Sequence, residues 1–494
     1  MKKLNIKILA ALAGVLAVAT SCLGDLEIVQ NGKLSASNMW QDKQDVISST
    51  YGIYRVMRNN FIGSGNVLSW GELRVGEYMW GPCLQDGLLG GFGVIINNVM
   101  TSSSDIASWS ALYSAIDQAN AVLKYAPMVS MGEKDLAFAV GQASFARAYC
   151  YFWAVRLWGD VPLTLLPVES STQDETYPER TAAQKVYEQI EKDIDIAEQN
   201  AYALGNNKYF ATEDAVRLLK AEYALWMYAT RGKNENYLSM ADSALKAIGI
   251  SSSKLLASYS SIFSRSNKCN AEVIFALGND QGESLTGGYY THFYFPNNFV
   301  APAYRNNPVP IKSTQYLSYT MNFINILQES KAANNDSRVD CNLGSGAYGI
   351  AGETLYWTNK YLGDMSGSSV VLDADILYYR YALAVMLDAE LKYYKQDYSG
   401  ALKSLNLIAK RAYGKDNFYS DSSQASVLQA LCDEYFLEFP AEGVIWWALI
   451  RLDKIWDYNE SLAARRNDTN ILLWPITQSA INRNHKLKQT EGWN

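Results

Sequence analysis

The sequence predicts a mostly α-helical protein, in which helical hairpins form a scaffold and two loop-rich segments form an irregular part. Apolar side chains recur every three to four residues along most of the 494-residue chain, which is the period of an amphipathic helix. Two long segments, about 59–104 and 278–372, lack this period and are rich in glycine and aromatic residues. Since 49% of the residues are hydrophobic, the chain has enough apolar side chains for a large core.

The N-terminus predicts export followed by a lipid anchor. A short basic head precedes an uncharged apolar run, 8–20, which is too short for a membrane-spanning helix. Small residues then lead to Cys22, as in a bacterial lipobox, so we predict a signal peptide over 1–21 and lipidation of Cys22. A flexible tether over 22–37 and a single domain over 38–494 would follow. An ordinary signal peptide, with Cys22 as a bystander, is the alternative.

The charge balance argues against nucleic acid as a partner. The formal net charge is −7. Without Lys2, Lys3 and Lys7 of the signal peptide, the chain has 40 basic and 50 acidic side chains. Phosphate backbones are bound by clustered Lys and Arg side chains. We therefore expect no nucleic-acid binding. We also expect acyl chains, rather than charged side chains, to attach the protein to the membrane.

Histidine and cysteine are used sparingly. The chain has 2 histidines, which argues against a histidine-based metal site or general base. Cys150 and Cys432 lie in apolar helical patterns and no C-x-x-C pair exists, which predicts buried free thiols. One disulfide stays open as an alternative outside the cytosol. No cofactor is expected.

The helical period predicts nine helices. Asn38 is the expected N-cap of the first helix, Pro127 ends the second, and a Gly-Asp-Val-Pro run that starts at Gly159 ends the third. The predicted helices span 40–58, 105–126, 134–158, 181–204, 212–231, 236–248, 373–396, 398–413 and 424–439.

Two parts of this scaffold resemble the helix hairpins of tetratricopeptide repeats. Residues 218–249 and 386–414 each contain an Ala-rich helix, a short polar turn and a second helix with Ala-Leu near its middle. Such units bury a shared face by stacking, so the helices are predicted to form the scaffold of the domain.

A strand over 272–277 is predicted to lead into the second loop-rich segment. This segment is too long for a simple linker, and the aromatic cluster between Tyr289 and Phe299 is too apolar for a disordered chain. We interpret both loop-rich segments as functional surface.

No catalytic or nucleotide-binding motif is present in the sequence. Glu434, Glu438 and Glu442 stand four residues apart on one helical face. A glycosidase needs two carboxylates about 5–10 Å apart, but we interpret these three as an exposed charged stripe instead.

Several short segments, in their order along the chain, resemble the SusD/RagB family of outer-membrane, glycan-binding lipoproteins. The marks are 45–54, 143–149 (ASFARAY) followed by 158–163 (WGDVPL), Phe263 with 272–275 (EVIF), 336–338 (DSR), 360–361 (KY), 377–382 (LYYRYA), 389–390 (AE), 438–439 (EF), 442–443 (EG), 449–451 (LIR) and 473–476 (LWPI) with Asn484 and Gln489. The chain departs from the family at Tyr435, where the family usually has Arg, and at 444–445, where an Arg is usual.

The resemblance implies a fold and a function. The fold would have four tetratricopeptide-like hairpins and an irregular capping part that carries the ligand site. The protein would sit on the cell outer membrane, lipid-anchored and exposed at the surface, and would bind an oligosaccharide or a peptide without cleaving it. Its implied partner is a SusC-like TonB-dependent transporter, over which it would close as a lid during nutrient import.

The family motifs do not fix the ligand site, so we choose it on physical grounds. Aromatic planes pack against the C–H faces of sugar rings, while amides and charged groups bind the hydroxyls. The predicted ligand-binding residues are Trp70, Arg74, Tyr78 and Trp80 in the first loop-rich segment and Tyr290, Phe293, Tyr294 and Asn297 in the second.

Three alternatives stay open. The first is a peptide-binding lid of the same type. The second is a surface glycoside hydrolase, for which Glu72 and Glu77 are the only close acids of the first aromatic cluster. The third is a helical adaptor that has a lipid anchor but no small ligand.

Overall fold

The computed structural model describes residues 39–62, 66–80, 92–280, 300–304, 317–361, 364–366, 369–371 and 373–493. The backbone separates into two units, Met1–Gln41 and Asp42–Asn494. The second unit contains all the helices and strands named below. Within the described ranges, no helix is both long enough and apolar enough to cross a bilayer.

The second unit is built mainly of helices. They are α1 (Lys43–Ile62), α2 (Asn66–Gly71), α3 (Phe92–Ile96), α4 (Ser110–Tyr125), α5 (Glu133–Trp158), α6 (Ala183–Gln199), α7 (Glu213–Thr230), α8 (Glu235–Ile248), α9 (Met321–Asn334), α10 (Val339–Asn342), α11 (Tyr381–Tyr394), α12 (Tyr398–Tyr413), α13 (Gln424–Glu438), α14 (Ile445–Arg451), α15 (Ile455–Tyr458), α16 (Glu460–Ala463) and α17 (Gln478–Arg483).

Strands are few and short. They are β1 (Tyr78–Trp80), β2 (Val273–Leu277), β3 (Leu317–Tyr319), β4 (Gly344–Gly346), β5 (Leu355–Trp357), β6 (Asp364–Ser366), β7 (Ser369–Val371) and β8 (Ile376–Arg380). They pair as β1 with β3, β2 with β8, β4 with β5 and β6 with β7, and all four pairs are antiparallel.

The long helices pack in pairs. Helix α1 packs against α4, α5 against α6, α7 against α8, and α11 against α12. Each pair buries an apolar stripe, as in α12, where Leu405, Ile408 and Ala412 are buried at a spacing of three to four residues. The predicted mostly helical fold, with a tetratricopeptide-like scaffold, is confirmed.

Helix α5 has a long, fully buried C-terminal part. Every residue from Gly141 to Trp158 is buried. Gly141 allows a close approach to the chain after α6, since a Cβ at this position would lie 2.9 Å from Leu204 Cδ2. The helix ends at Gly159, whose φ of 70° is unfavourable for residues that carry a Cβ.

Most of the predicted helices coincide with observed ones to within a few residues, and α12 has the predicted bounds. The first helix starts later than predicted. The Asp42 carboxylate accepts hydrogen bonds from the backbone N–H groups of Gln44 (2.7 Å) and Asp45 (3.1 Å), which caps α1. Asn38, the predicted cap, lies outside the described residues.

The predicted helix over 373–396 is wrong in its first part. Residues Ile376–Arg380 form β8, and α11 begins only at Tyr381. All five residues of β8 are buried, so the strand lacks the alternation of apolar and polar side chains that would identify it. Its partner is β2, which coincides with the strand predicted over 272–277.

The loop-rich segments contain more regular structure than the sequence indicates. The first includes α2, β1 and α3, and the second includes β3 to β7 with α9 and α10. Helix α9 has a clear start signal, because the Thr320 hydroxyl accepts a hydrogen bond from the Phe323 N–H at 3.3 Å.

Four cysteines within the described residues are free thiols. Cys150, Cys341 and Cys432 are buried, and Cys269 is partly exposed. Burial raises the pKa of Cys432 to about 12 and that of Cys150 further, so these thiols stay protonated and unreactive. The prediction of buried free thiols at Cys150 and Cys432 is confirmed.

Candidate ligand-binding site

Trp70 lies in the core and not on a ligand-facing surface. It is 1% exposed. Its ring packs against Phe61 of α1 and Trp153 and Trp158 of α5, with centroid distances of 5.8, 5.7 and 6.2 Å. The predicted exposed platform is therefore wrong at Trp70, because α2 turns this side chain onto the scaffold.

Arg74 is likewise buried, with 1% of its surface exposed. Its guanidinium donates hydrogen bonds to the backbone oxygens of Ile471 (2.6 Å) and Leu472 (3.0 Å) and to Asn98 Oδ1 (2.7 Å). It also lies over the Trp446 ring, 4.7 Å from the centroid. Burial lowers the pKa of Arg74 to about 9. The expectation of an Arg74 side chain on an accessible surface is wrong, because its guanidinium is buried and bonded to protein groups.

Tyr78 is the third predicted residue that the structure buries, at 1% exposure. It lies in β1 opposite Tyr319 of β3, and its hydroxyl donates a hydrogen bond to Glu72 Oε1 at 2.8 Å. The expectation that the Tyr78 ring is exposed to a ligand is therefore also wrong. Trp80 ends β1, but its side chain is not among the described groups. Four further predicted residues lie outside the described residues: Tyr290, Phe293, Tyr294 and Asn297.

The β1–β3 ladder joins the two loop-rich segments. Trp80 pairs with Leu317 and Tyr78 with Tyr319. Residues 81–91 follow β1 directly, and residues 305–316 lead directly into β3. The backbones of the two segments chosen from the sequence are thus hydrogen-bonded to one another at this ladder.

Glu72 fixes this region to the end of α13. Its carboxylate accepts hydrogen bonds from the backbone N–H groups of Ala441 (2.6 Å) and Gly443 (2.5 Å) and from the Tyr78 hydroxyl. Gly71 packs so closely against this turn that a Cβ would come within 2.0 Å of the Gly443 oxygen. Burial raises the pKa of Glu72 to about 7.

Glu77 is the second buried acid of this region, at 3% exposure. Neither of its carboxyl oxygens has a hydrogen-bond partner among the described residues. Burial, followed by the nearby charge of Glu72, raises the pKa of Glu77 well above its ordinary value. The two acids that a hydrolase would need are therefore enclosed in the protein and do not line an open cleft.

Glu434, Glu438 and Glu442 are also buried, so the predicted exposed stripe is wrong. Arg338 Nη1 lies 2.6 Å from Glu434 Oε2 and 3.2 Å from Glu438 Oε2. Arg380 pairs at 2.6 Å with both Glu438 and Glu442. These carboxylates belong to a buried ion network and are not exposed for catalysis.

The network continues through further charged side chains. Lys360 Nζ lies 2.7 Å from Glu442 Oε1, and Arg411 pairs with both Glu272 and Glu438. Burial alone would raise the pKa of Glu438, but Arg411, Arg380 and Arg338 hold it well below its ordinary value. Among the described residues, no group of three or more His, Cys, Asp or Glu side chains is suited to hold a metal ion.

An open cavity of about 530 Å³ lies beside α1. Tyr51, Arg55 and Arg58 of α1 form one wall, and Tyr209 with Phe210 form another. The described residues that line the cavity also include Ser48, Gly52, Tyr54, Lys268 and 277–280. Residues 281–299, which carry four of the predicted ligand-binding residues, follow this last group directly in the chain.

Aromatic surface is exposed at this cavity. Tyr51 is 44% exposed, and its ring lies 4.7 Å from that of Phe210, at an angle of 39°. Sequence reasoning missed both residues, although a signal existed. Tyr51 falls between the apolar positions of α1, such as Val46, Ile53 and Met57, so the helix pattern alone places an aromatic ring outside the core.

The comparisons with known proteins agree with this architecture. A SusD-like family model, described as starch-binding and associating with the outer membrane, matches residues 94–212. A second model, the SusD family, matches residues 328–493. SusD-like protein P38 of Formosa agariphila is 24% identical over an aligned length of 527 residues, and the alignment covers 99% of each chain.

Solved structures share the fold over almost the whole chain. A SusD superfamily protein from Bacteroides fragilis superimposes with a TM-score of 0.77 at 22% identity and covers 92% of this chain and 100% of its own. Surface glycan-binding protein A from Bacteroides thetaiotaomicron, solved with laminarihexaose, gives a TM-score of 0.71 at 18% identity, covering 91% of this chain and 100% of its own.

Proposed function

Because this chain belongs to the SusD/RagB family, we propose that it binds oligosaccharides at the cell surface without cleaving them and passes them to a transporter. Family membership is the observation that carries this proposal. One relative with the same fold is described as a laminarin-binding SusD-like protein, and another was solved with laminarihexaose. Both support a glycan, rather than a peptide, as the ligand.

The proposed site combines the cavity beside α1 with residues 281–299, which follow its 277–280 wall in the sequence. Tyr51 and Phe210 supply an aromatic surface, and the Ser48 hydroxyl lies among the groups that line the cavity. Trp80, Tyr290, Phe293, Tyr294 and Asn297 remain proposed contacts.

A low to moderate affinity is expected for such a site. Two aromatic stacks of about 0.5–1.5 kcal/mol each, and a few hydrogen bonds of about 1 kcal/mol each, are opposed by the entropy lost on association. The balance predicts a dissociation constant of about millimolar to micromolar. This range suits a protein that must release its ligand to a partner.

The anchor and the partner are part of the same proposal. Lipidation of Cys22 would hold the protein at the outer membrane through two acyl chains, which together give durable attachment. A tether over 22–37 would let the domain open and close over a SusC-like TonB-dependent transporter as a lid. Purification of the lipidated protein from solubilised outer membranes of its own cells should recover such a transporter, and Cys22→Ser should abolish membrane attachment.

Ligand binding is tested with the mature protein carrying Cys22→Ser. Calorimetry against a panel of fluorescently labelled oligosaccharides that includes laminarihexaose should find at least one ligand in the expected range. Chromatography of the same mixtures after long incubation should recover the oligosaccharides intact. Cleavage products would favour the glycoside hydrolase, and binding of peptides but of no glycan would favour the peptide-binding lid.

A further inference from the structure

We infer that the cavity beside α1 binds the carboxylate of an acidic sugar, so that the ligand is an oligosaccharide containing uronic acid. This inference rests on the proposed glycan-binding function and names the substrate class of the same site. It follows from the charge of the cavity, from an unpaired arginine at its wall and from the aromatic surface beside that arginine.

The charge of the cavity is opposite in sign to that of the chain. Its described lining contains three cationic side chains, Arg55, Arg58 and Lys268, and one acidic side chain, Asp280. The chain as a whole has 43 basic and 50 acidic residues, and its net charge is −7. A positively charged cavity attracts anions and raises their local concentration, even on a protein whose net charge is negative.

Two of the three cations are already engaged. Lys268 Nζ donates a hydrogen bond to the Asn279 oxygen at 2.6 Å and lies 3.5 Å from Asp375 Oδ1. Arg58 Nη1 donates to the Gly278 oxygen at 3.4 Å. These contacts hold both cations against the 277–280 wall, where they contribute positive potential rather than a free donor.

Arg55 is the cation left for a ligand. It is exposed on α1, lines the cavity, and forms no ion pair or hydrogen bond with any described residue. A guanidinium presents parallel N–H donors at the spacing of the two oxygens of a carboxylate, which it binds in a bidentate manner. The chemistry of this position therefore favours a planar carboxylate.

The aromatic surface places a sugar ring next to that guanidinium. Arg55 follows Tyr51 by four residues, so the two side chains are neighbours on the same face of α1. Tyr51 and Phe210 present their ring surface to the same cavity. A pyranose that stacks on this surface would bring a carboxylate at its C5 position within reach of Arg55.

The test compares each acidic oligosaccharide with its own carboxyl-reduced, neutral form. Oligomers of galacturonic, glucuronic and mannuronic acid are titrated into the protein by calorimetry, alongside neutral laminarihexaose. At least one acidic oligomer should bind about tenfold more tightly than its reduced form. That preference should shrink as salt is raised from about 0.05 to 0.5 M, because added ions screen the attraction.

Variants locate the effect at Arg55. Arg55→Gln should lose about tenfold in affinity for the acidic oligomer and should abolish its advantage over the reduced form, and Arg55→Lys should retain part of it. Arg466→Gln is the matched control, because Arg466 is an exposed arginine away from the cavity whose side chain is 55% exposed. Arg55 is exposed, so Arg55→Gln should keep the wild-type melting temperature.

The outcomes separate this inference from the function on which it rests. Binding of neutral glycans with no preference for any acidic form overturns the inference and leaves the proposed function standing. An acidic preference that survives in Arg55→Gln also overturns it, since another group would then bind the carboxylate. Failure to bind any glycan, neutral or acidic, contradicts both.

Discussion

The carboxylate of Glu72 accepts a hydrogen bond from the backbone N–H of Gly443 at 2.5 Å, which joins residues 371 positions apart in the chain. Glu72 precedes β1, the strand that ends at Trp80, one of the proposed ligand contacts. Gly443 lies in the turn between α13 and α14 of the scaffold. The segment that leads to β1 is therefore held by the scaffold itself, through a buried carboxylate and a glycine.

The close packing at Gly443 predicts a large effect of a single methyl group. Gly443 has a φ of +72°, and an added Cβ would lie 2.7 Å from both Val67 Cγ1 and the Val67 oxygen. Gly443→Ala should lose about 3 kcal/mol or more in urea unfolding, from strain and overpacking together. Gly414→Ala is the control. Its φ is +66°, but no atom lies within 4 Å of the new Cβ, so about 1–2 kcal/mol of strain is expected. Equal losses in the two variants would refute the packing argument.

Trp70 and Trp80 should differ in what their loss disrupts. Trp70→Ala removes a ring that is 1% exposed, so it should destabilise the fold by about 3–5 kcal/mol. Trp80→Ala and Tyr294→Ala should instead leave the melting temperature near that of the wild type and weaken glycan retention in affinity electrophoresis. Retention at the wild-type level in both variants would remove these residues from the site.

Substitution of Glu438 should destabilise the fold more than substitution of an exposed charged residue. Glu438→Ala leaves Arg380 and Arg411 without one of their partners in a buried network, and breaking such a network costs about 3–5 kcal/mol. Denaturant unfolding measures this loss. Glu179→Ala, at an exposed position, should change stability by no more than about 0.5 kcal/mol. A loss below about 1 kcal/mol for Glu438→Ala would contradict the structural role of the network.

The raised pKa of Glu72 predicts how stability changes with pH. Burial raises the pKa of Glu72 from 4.5 to about 7 in the folded protein. Its contribution to stability is fully present below about pH 4.5 and is lost as the pH rises through about 7. Between pH 5 and 8 the wild type should therefore lose about 1–3 kcal/mol more than Glu72→Gln, which cannot titrate. If the stability of the two proteins changed with pH in parallel, the pKa of Glu72 would not be raised in the folded protein.

The sequence predicted the scaffold well because helices carry a local signal. The stripe of Leu405, Ile408 and Ala412 shows the helical period without knowledge of any partner. The strand Ile376–Arg380 carries no such signal, because all of its side chains are buried and its identity depends on pairing with Val273–Leu277, about a hundred residues earlier.

The short segments that resemble the family contain residues of the buried interior rather than residues of the proposed ligand site. Arg147 pairs with Asp193 at 2.6 Å, Arg338 with Glu434 at 2.6 Å and Glu390 with Arg451 at 2.7 Å, all in the buried interior. Charged residues inside a protein must be paired, so these short motifs supply ion pairs to the interior of the fold. The sequence alone could not reveal that Glu434 and Glu438 are buried, because their spacing also suits an exposed helix face.

The site was predictable only in part for a related reason. Composition identifies an aromatic, glycine-rich loop, but it does not distinguish Trp70, which packs on α5, from a ring that faces solvent. Conversely, Tyr51 lies in a helix that the pattern assigns to the scaffold, although the fold exposes 44% of its surface at the cavity. Which aromatic residues are available to a sugar depends on contacts between segments that lie far apart in the sequence.

The most direct test of the account is calorimetry of the mature protein with a panel of neutral and acidic oligosaccharides, followed by chromatography of the recovered ligands. We predict saturable binding of at least one oligosaccharide with a dissociation constant of about millimolar to micromolar, and recovery of that oligosaccharide intact. Absence of binding across the panel, or cleavage of the bound oligosaccharide, would contradict the proposal that this protein is a non-catalytic glycan-binding protein.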